Sequence, residues 1–122
     1  MQGMNKRTEG TRFERVAEEY LKEQGYRILM RNFRCRQAEI DLVAREGKYL
    51  VFVEVKERSS TARGYGYESV DRRKIIRISA AVRFYLKRFH IDPCMPVRFD
   101  VISIDCGRIR LIRNAFPYFT RS

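Results

Sequence analysis

A chain of 122 residues with 44% apolar and 12% aromatic side chains is one folded domain, too apolar for a disordered tail and long enough to bury a core without staples. Three scattered cysteines (Cys35, Cys94, Cys106) and the single His90 exclude a disulfide framework and a zinc cluster, and with no apolar leader or membrane-length run a cytoplasmic protein is expected. The net charge of +11, from 26 Lys and Arg against 15 Asp and Glu, points to nucleic acid as the partner, or less often to an acidic membrane or ribosomal surface, and without a membrane-length apolar run no membrane partner is expected.

Residues 11–24 predict an amphipathic helix, with Phe13, Val16, Ala17, Tyr20 and Leu21 at helical spacing and Gly25 as its stop. Thr11 caps this helix and Glu14 completes a capping box, a structural role for Glu14 that stands beside a catalytic one. Residues 26–34 read as a strand with Tyr26, Ile28 and Met30 on one face.

The segment EIDLVAREGKYLVFVEVK, residues 39–56, reads as a tight hairpin with Gly47-Lys48 as a two-residue type II′ loop. Glu46 then pairs with Tyr49, and counting outward sets Asp41 opposite Glu54 and Glu39 opposite Lys56. Two carboxylates facing each other on apolar strands repel unless a cation lies between them. Lys56 shares the face of Glu54, so acid, acid and ammonium form one patch. Residues 49–56 are apolar on both faces until Glu54, as in a central strand, and a charge at the end of such a strand requires a partner or a metal. A Glu39–Lys56 ion pair and a solvated strand face are the structural alternatives.

Residues 57–69 have no regular period, and Arg58, Arg63, Tyr65 and Tyr67 interleave cations with stackable rings, either as a nucleic-acid contact or as a plain loop. Residues 71–89 predict a second helix with an apolar stripe of Ile75, Ile78, Val82, Tyr85, Leu86 and Phe89, capped by Ser69 or Asp71. Its other faces carry Arg72, Arg73, Lys74 and Arg77, and residues 57–90 hold nine bases against three acids, which favours phosphate contact. After Pro93 and Pro96, residues 97–104 and 109–112 read as strands turning at Cys106-Gly107, and Phe116-Pro117-Tyr118-Phe119 packs back or serves an interface. The order α-β-β-β-α-β-β gives an α/β (α+β) fold, a mixed sheet covered by helices.

That order, with an acid on the second strand and Glu54-Val55-Lys56 on the third, resembles the restriction-endonuclease-like core of the PD-(D/E)XK nuclease superfamily. More closely, the chain resembles the YraN-like family of bacterial proteins, itself similar to Holliday junction resolvases. The residues that carry this are Glu14, Ala17, Gly25-Tyr26, Arg31-Asn32-Phe33, the runs from Glu39 to Ala44 and Phe52 to Lys56, Arg58, Gly66, Val70 and Lys74. Ala38 and Phe13 stand where the family usually has glycine. The resemblance implies one restriction-endonuclease-like domain with an α-β-β-β-α-β core over about residues 10–105, and peripheral ends at 1–9 and 114–122. It also implies a metal-dependent endonuclease acting on DNA, on branched or recombination intermediates. Asp41 and Glu54 would bind Mg²⁺ or Mn²⁺ with the Val55 carbonyl, Lys56 would orient or deprotonate water, and Glu14 would assist from the first helix. Lys74 would lie near the site, Arg58, Arg63, Arg72, Arg73, Lys74 and Arg77 would hold nucleic acid, DNA before RNA, and Glu39 keeps no defined chemical role. The two-fold substrates of junction resolvases make a homodimer one expectation. The alternative is a nuclease-like fold that binds nucleic acid without cutting it, which the acidic patch disfavours because carboxylates repel phosphate.

Overall fold

The computed structural model describes residues 4–58 and 71–118, with side chains described for 12–57 and 71–118. Its elements are α1 (Met4–Glu23), β1 (Arg27–Arg34), β2 (Glu39–Glu46), β3 (Tyr49–Arg58), α2 (Arg72–Arg88), β4 (Val97–Asp105) and β5 (Arg108–Phe116). The strands form one mixed sheet in the order β1-β2-β3-β4-β5, and only the β3–β4 pair is parallel. Parallel neighbours need a crossover, and α2 lies in that connection. No helix among the described residues is long and apolar enough to cross a membrane.

β3 sets the two-sided core. Leu50 and Phe52 meet Ile78, Val82, Tyr85 and Leu86 of α2, whereas Val51 and Val53 meet Ala17 and Leu21 of α1. The alternation of a strand sorts these side chains between the helices, and continuing it puts Glu54 and Lys56 on the α2 side.

Several boundaries differ from the sequence expectation, each for a local reason. α1 begins at Met4, so Thr11 lies inside the helix and not at its N-cap. The helix runs through Gly10, a residue that costs roughly 1 kcal/mol at such a position. Its far end follows expectation: Gly25 (φ +99°) donates to Lys22 O at 3.0 Å and Tyr26 N–H to Leu21 O at 2.9 Å, a Schellman stop. In β1 a bulge between Ile28 and Met30 turns Met30 to the α2 side, away from Tyr26 and Ile28. Val16, at the edge of the α1 stripe, is exposed, as is Phe89, which serves as the C-cap of α2. Asp71 is the N-cap of α2, accepting from Lys74 N–H at 2.9 Å, and Ser69 falls outside the described residues.

β5 continues past Ile112 to Phe116, whose ring stacks on Phe99 at 4.7 Å while Tyr118 meets Phe99 edge-on at 5.9 Å. Residues 114–118 therefore close the core and are not peripheral. The strand hides from a period-2 reading because Asn114, at φ +55°, sits where the β4–β5 register shifts.

On the α1 side, toward the β2–β3 turn, fully buried Asp100 anchors a polar network. It accepts two hydrogen bonds from Arg98 (2.9 and 2.8 Å), one from the Tyr26 hydroxyl (2.6 Å) and one from Asn114 N–H (2.9 Å). Arg98 also pairs with Glu46, which Arg113 binds from the other side at 2.7 Å. The Arg113 hydrogen bond, with Arg98 adding to it, holds the Glu46 carboxyl down at about 2.

Candidate functional site

The β2–β3 hairpin turns where expected. Gly47 has φ +59° and Lys48 keeps a negative φ, the type II′ pattern, and the ladder runs from Glu46–Tyr49 to Leu42–Val53. At the next step the pairing stops. Asp41 turns its carboxylate onto the neighbouring strand, and its Oδ2 accepts the Val55 N–H at 2.7 Å. On the other side, β1 and β2 pair at Arg31–Leu42 and Phe33–Ile40, leaving Asn32 and Asp41 between them. Asn32 adopts φ +53°, a left-handed conformation that asparagine tolerates better than most residues. Ile40 and Val43 both reach the α2-side core, an odd spacing that marks the same irregularity. Asp41 is thus held where regular pairing fails on both edges of β2.

Electrostatics set this carboxylate apart. Burial is the largest influence on Asp41, and the negative charges of Glu54, Glu14 and Glu39 add to it. The Val55 N–H opposes them, and the balance leaves the group pushed up to about 7. Half-buried Glu14 therefore reaches the patch electrostatically from α1.

Two lysines converge on the second acid. Lys74 Nζ donates to Glu54 Oε2, and Lys56 Nζ lies 3.4 Å from the same oxygen. Burial, then the adjacent Lys74, push Lys56 below the ordinary lysine value against the pull of Glu54. Burial acts against Lys74 too, but its hydrogen bond to Glu54 and the charge of Asp41 carry it upward. The Asp71 cap fixes the Lys74 backbone in the first turn of α2, a turn that holds Arg72, Arg73 and Lys74 and no acid. Cations there oppose the helix dipole, so the turn concentrates positive potential at some expense of stability.

The structure brings Asp41, Val55, Glu54, Lys56 and Lys74 together, with Glu14 near them. Glu39 does not pair with Lys56; it binds Arg34 at 3.4 Å, because the irregularity at Asp41 breaks the register that would have opposed the two. Lys74, expected both near the site and as a nucleic-acid contact, lies in the acidic patch on Glu54. Arg72, Arg73 and Arg77 are exposed on α2, while the Arg58 side chain and Arg63, Tyr65 and Tyr67 lie outside the described residues. Sequence reasoning missed the pair of Glu18 and Arg31, whose Nε and Nη2 donate to the two Glu18 oxygens at 2.7 and 2.5 Å. Its only signal was an acid on the polar side of α1.

Among the described residues no three His, Cys, Asp or Glu side chains gather into a metal site. What is present is a hard-oxygen donor set of two carboxylates and one backbone carbonyl, which suits Mg²⁺ or Mn²⁺. Asp41 uses Oδ2 and Glu54 uses Oε2 in the described contacts, leaving Oδ1 and Oε1 as donors. Burial raises Asp41 most and the neighbouring carboxylates add to it, and a divalent cation would relieve that repulsion. The residues fit such an ion.

Comparison with known proteins places this site in a wider group. Residues 13–104 match the protein family described as "Uncharacterised protein family UPF0102". A UPF0102 protein of Lachnoclostridium phytofermentans is 49% identical over 116 residues, covering 95% of this chain and 98% of that protein. A UPF0102 protein of Legionella pneumophila is 46% identical over 105 residues (84% and 89%), and one of Persephonella marina 46% over 107 residues (88% and 91%).

Proposed function

The chain belongs to the UPF0102 family, and we propose that this member is a metal-dependent endonuclease that hydrolyses phosphodiester bonds in DNA. The observation that carries the reading is the convergence of Asp41, Glu54 and Lys56 at one end of the central strands, with Asp41 raised by burial and then by its acidic neighbours. Asp41, Glu54 and the Val55 carbonyl would hold Mg²⁺ or Mn²⁺, which supplies Lewis acidity at the phosphate and lowers the pKa of water. Lys56, held below its ordinary pKa by burial and by Lys74, can accept a proton from the attacking water at Nζ. Lys74, charged and fixed on Glu54, supplies positive charge beside the developing pentavalent phosphate. Arg73 and Arg77, exposed on α2, attract the backbone.

Cleavage of a labelled panel of four-way junction, flap, duplex, single-stranded DNA and RNA, with Mg²⁺, Mn²⁺ or EDTA, tests this. Cutting is expected only with metal, and Glu54→Gln and Lys56→Ala should each lower it by about a hundredfold or more with the fold intact. Variants that cut like the parent would sink the assignment. A second reading, binding without cleavage, draws on the two lysines that neutralise Glu54 and so soften the repulsion of phosphate. Tight binding of the panel with no cutting in any metal would favour it.

A further inference from the structure

A groove of about 350 Å³ opens between α1 and β1, lined among others by Glu14, Arg15, Glu18, Lys22, Arg31 and Asn32. It adjoins the acidic patch at two points: Glu14 acts electrostatically on Asp41, and Asn32 is the β1 residue left beside Asp41 where the ladder is interrupted. Buried Glu18 holds the Arg31 guanidinium by its Nε and Nη2 edge at 2.7 and 2.5 Å, with Lys22 Nζ 3.3 Å from the same carboxylate. The Arg31 side chain stays 63% exposed. A bidentate pair fixes the plane of a guanidinium, so Arg31 presents a rigid, open, planar cation. Beside it, exposed Asn32 in its left-handed conformation makes no side-chain hydrogen bond to another described residue. Strained backbone of this kind next to reactive groups often positions a ligand contact.

Charge indicates what fits. The acids of the groove, Glu14, Glu18 and Glu19, balance Arg15, Lys22 and Arg31, so it offers no net attraction to a phosphate. It suits an uncharged planar group that stacks on a guanidinium and presents an edge to an amide, and its size is at the small end of ligand sites, which run from roughly 300 Å³. We propose that this groove binds one unpaired nucleobase next to the phosphate at the acidic patch, with Arg31 as stacking platform and Asn32 reading the base edge. A base inside a duplex cannot offer both its face and its pairing edge, so the subsite selects DNA with an unpaired nucleotide, as in a flap or a bubble. The inference rests on the nuclease reading for the phosphate and adds the class of substrate.

The test is binding in EDTA, where no cleavage occurs, of two duplexes carrying 2-aminopurine, one with it unpaired and one with it paired. Asn32→Gly keeps the left-handed backbone and removes the amide, and Arg31→Lys keeps a charge for Glu18 and removes the plane. The parent should bind the unpaired duplex about tenfold more tightly, with quenching of its fluorescence, as stacking of one base predicts. Each variant should lose most of that preference while its salt dependence stays unchanged. A parent without the preference, or variants that keep it, would overturn the subsite. The metal-dependent cleavage assay on the same preparations separates the readings: preference without cutting retains the subsite and removes the nuclease, and cutting with an unaltered preference in both variants does the reverse.

Discussion

Asp41 receives one hydrogen bond, from Val55, and is largely buried, with the charges of Glu54, Glu14 and Glu39 beside it, so its ionised form is disfavoured in the folded chain. The consequence for stability has a definite sign. An aspartate in the unfolded chain titrates near 3.9 and this one near 7, so between those values the native state holds a proton the unfolded state has released. Its contribution is therefore complete at low pH, shrinks as pH rises through that window, and is level above it. Asp41→Asn removes the effect and keeps an acceptor for Val55. In metal-free buffer the variant should match the parent within about 1 kcal/mol at pH 4.5 and exceed it by roughly 1–4 kcal/mol at pH 8.5. Urea unfolding at the two pH values decides it, and a gap that is constant or reversed would show that Asp41 is not held in this way. The approach of Asp41 to Glu54 was legible because Gly47-Lys48 forces the loop and hence the register. The redirected Asp41 side chain was not, since alternation cannot show where a ladder stops.

At the scale of elements, α2 combines a core stripe with a first turn of three cations. Arg73→Ala and Arg77→Ala together should weaken DNA binding, and the slope of log K against log salt should fall by about 2, one for each phosphate contact. The same pair should leave the melting temperature unchanged or raise it slightly, because a cation near a helix N-terminus is unfavourable. Filter binding over a salt series with a melting curve checks both, and an unchanged slope would move the contact surface off α2. The stripes of both helices could be read from spacing, since period 3.6 needs only local sequence. The Lys74–Glu54 contact joins residues twenty apart in sequence, and only the β3–α2–β4 crossover brings it about. The bulge at Leu29, where one extra residue reverses every later side chain, and the register shift at Asn114, where β5 carries two extra residues, both escaped because no local preference announces them.

In the whole molecule, two of the sheet's buried or part-buried carboxylates, Asp100 and Asp41, stand in opposite situations, and that contrast separates framework from site. Asp100 accepts four hydrogen bonds, two from Arg98 and one each from Tyr26 and Asn114, and ties β4 to β1's approach, to β2 through Glu46, and to β5. Asp41 accepts one, and burial with the charges of Glu54, Glu14 and Glu39 outweighs it. A saturated carboxylate belongs to the fold, because every donor around it would be left unpaired by its loss. An unsaturated, repelled carboxylate lacks such donors, and the proposed metal ion would supply the missing partner. The isosteric change to asparagine should therefore act with opposite sign at the two positions at pH 8.5. Asp100→Asn should destabilise by about 2–4 kcal/mol, through an Arg98 left with Glu46 as its one carboxylate partner among the described residues and through lost acceptors, whereas Asp41→Asn should stabilise. For function the order reverses: Asp41→Asn should abolish metal-dependent cleavage, and Asp100→Asn should retain it at temperatures where that variant is folded. Paired unfolding and cleavage measurements on both variants check this, and two stability changes of the same sign would mean that Asp41 is as much a part of the framework as Asp100.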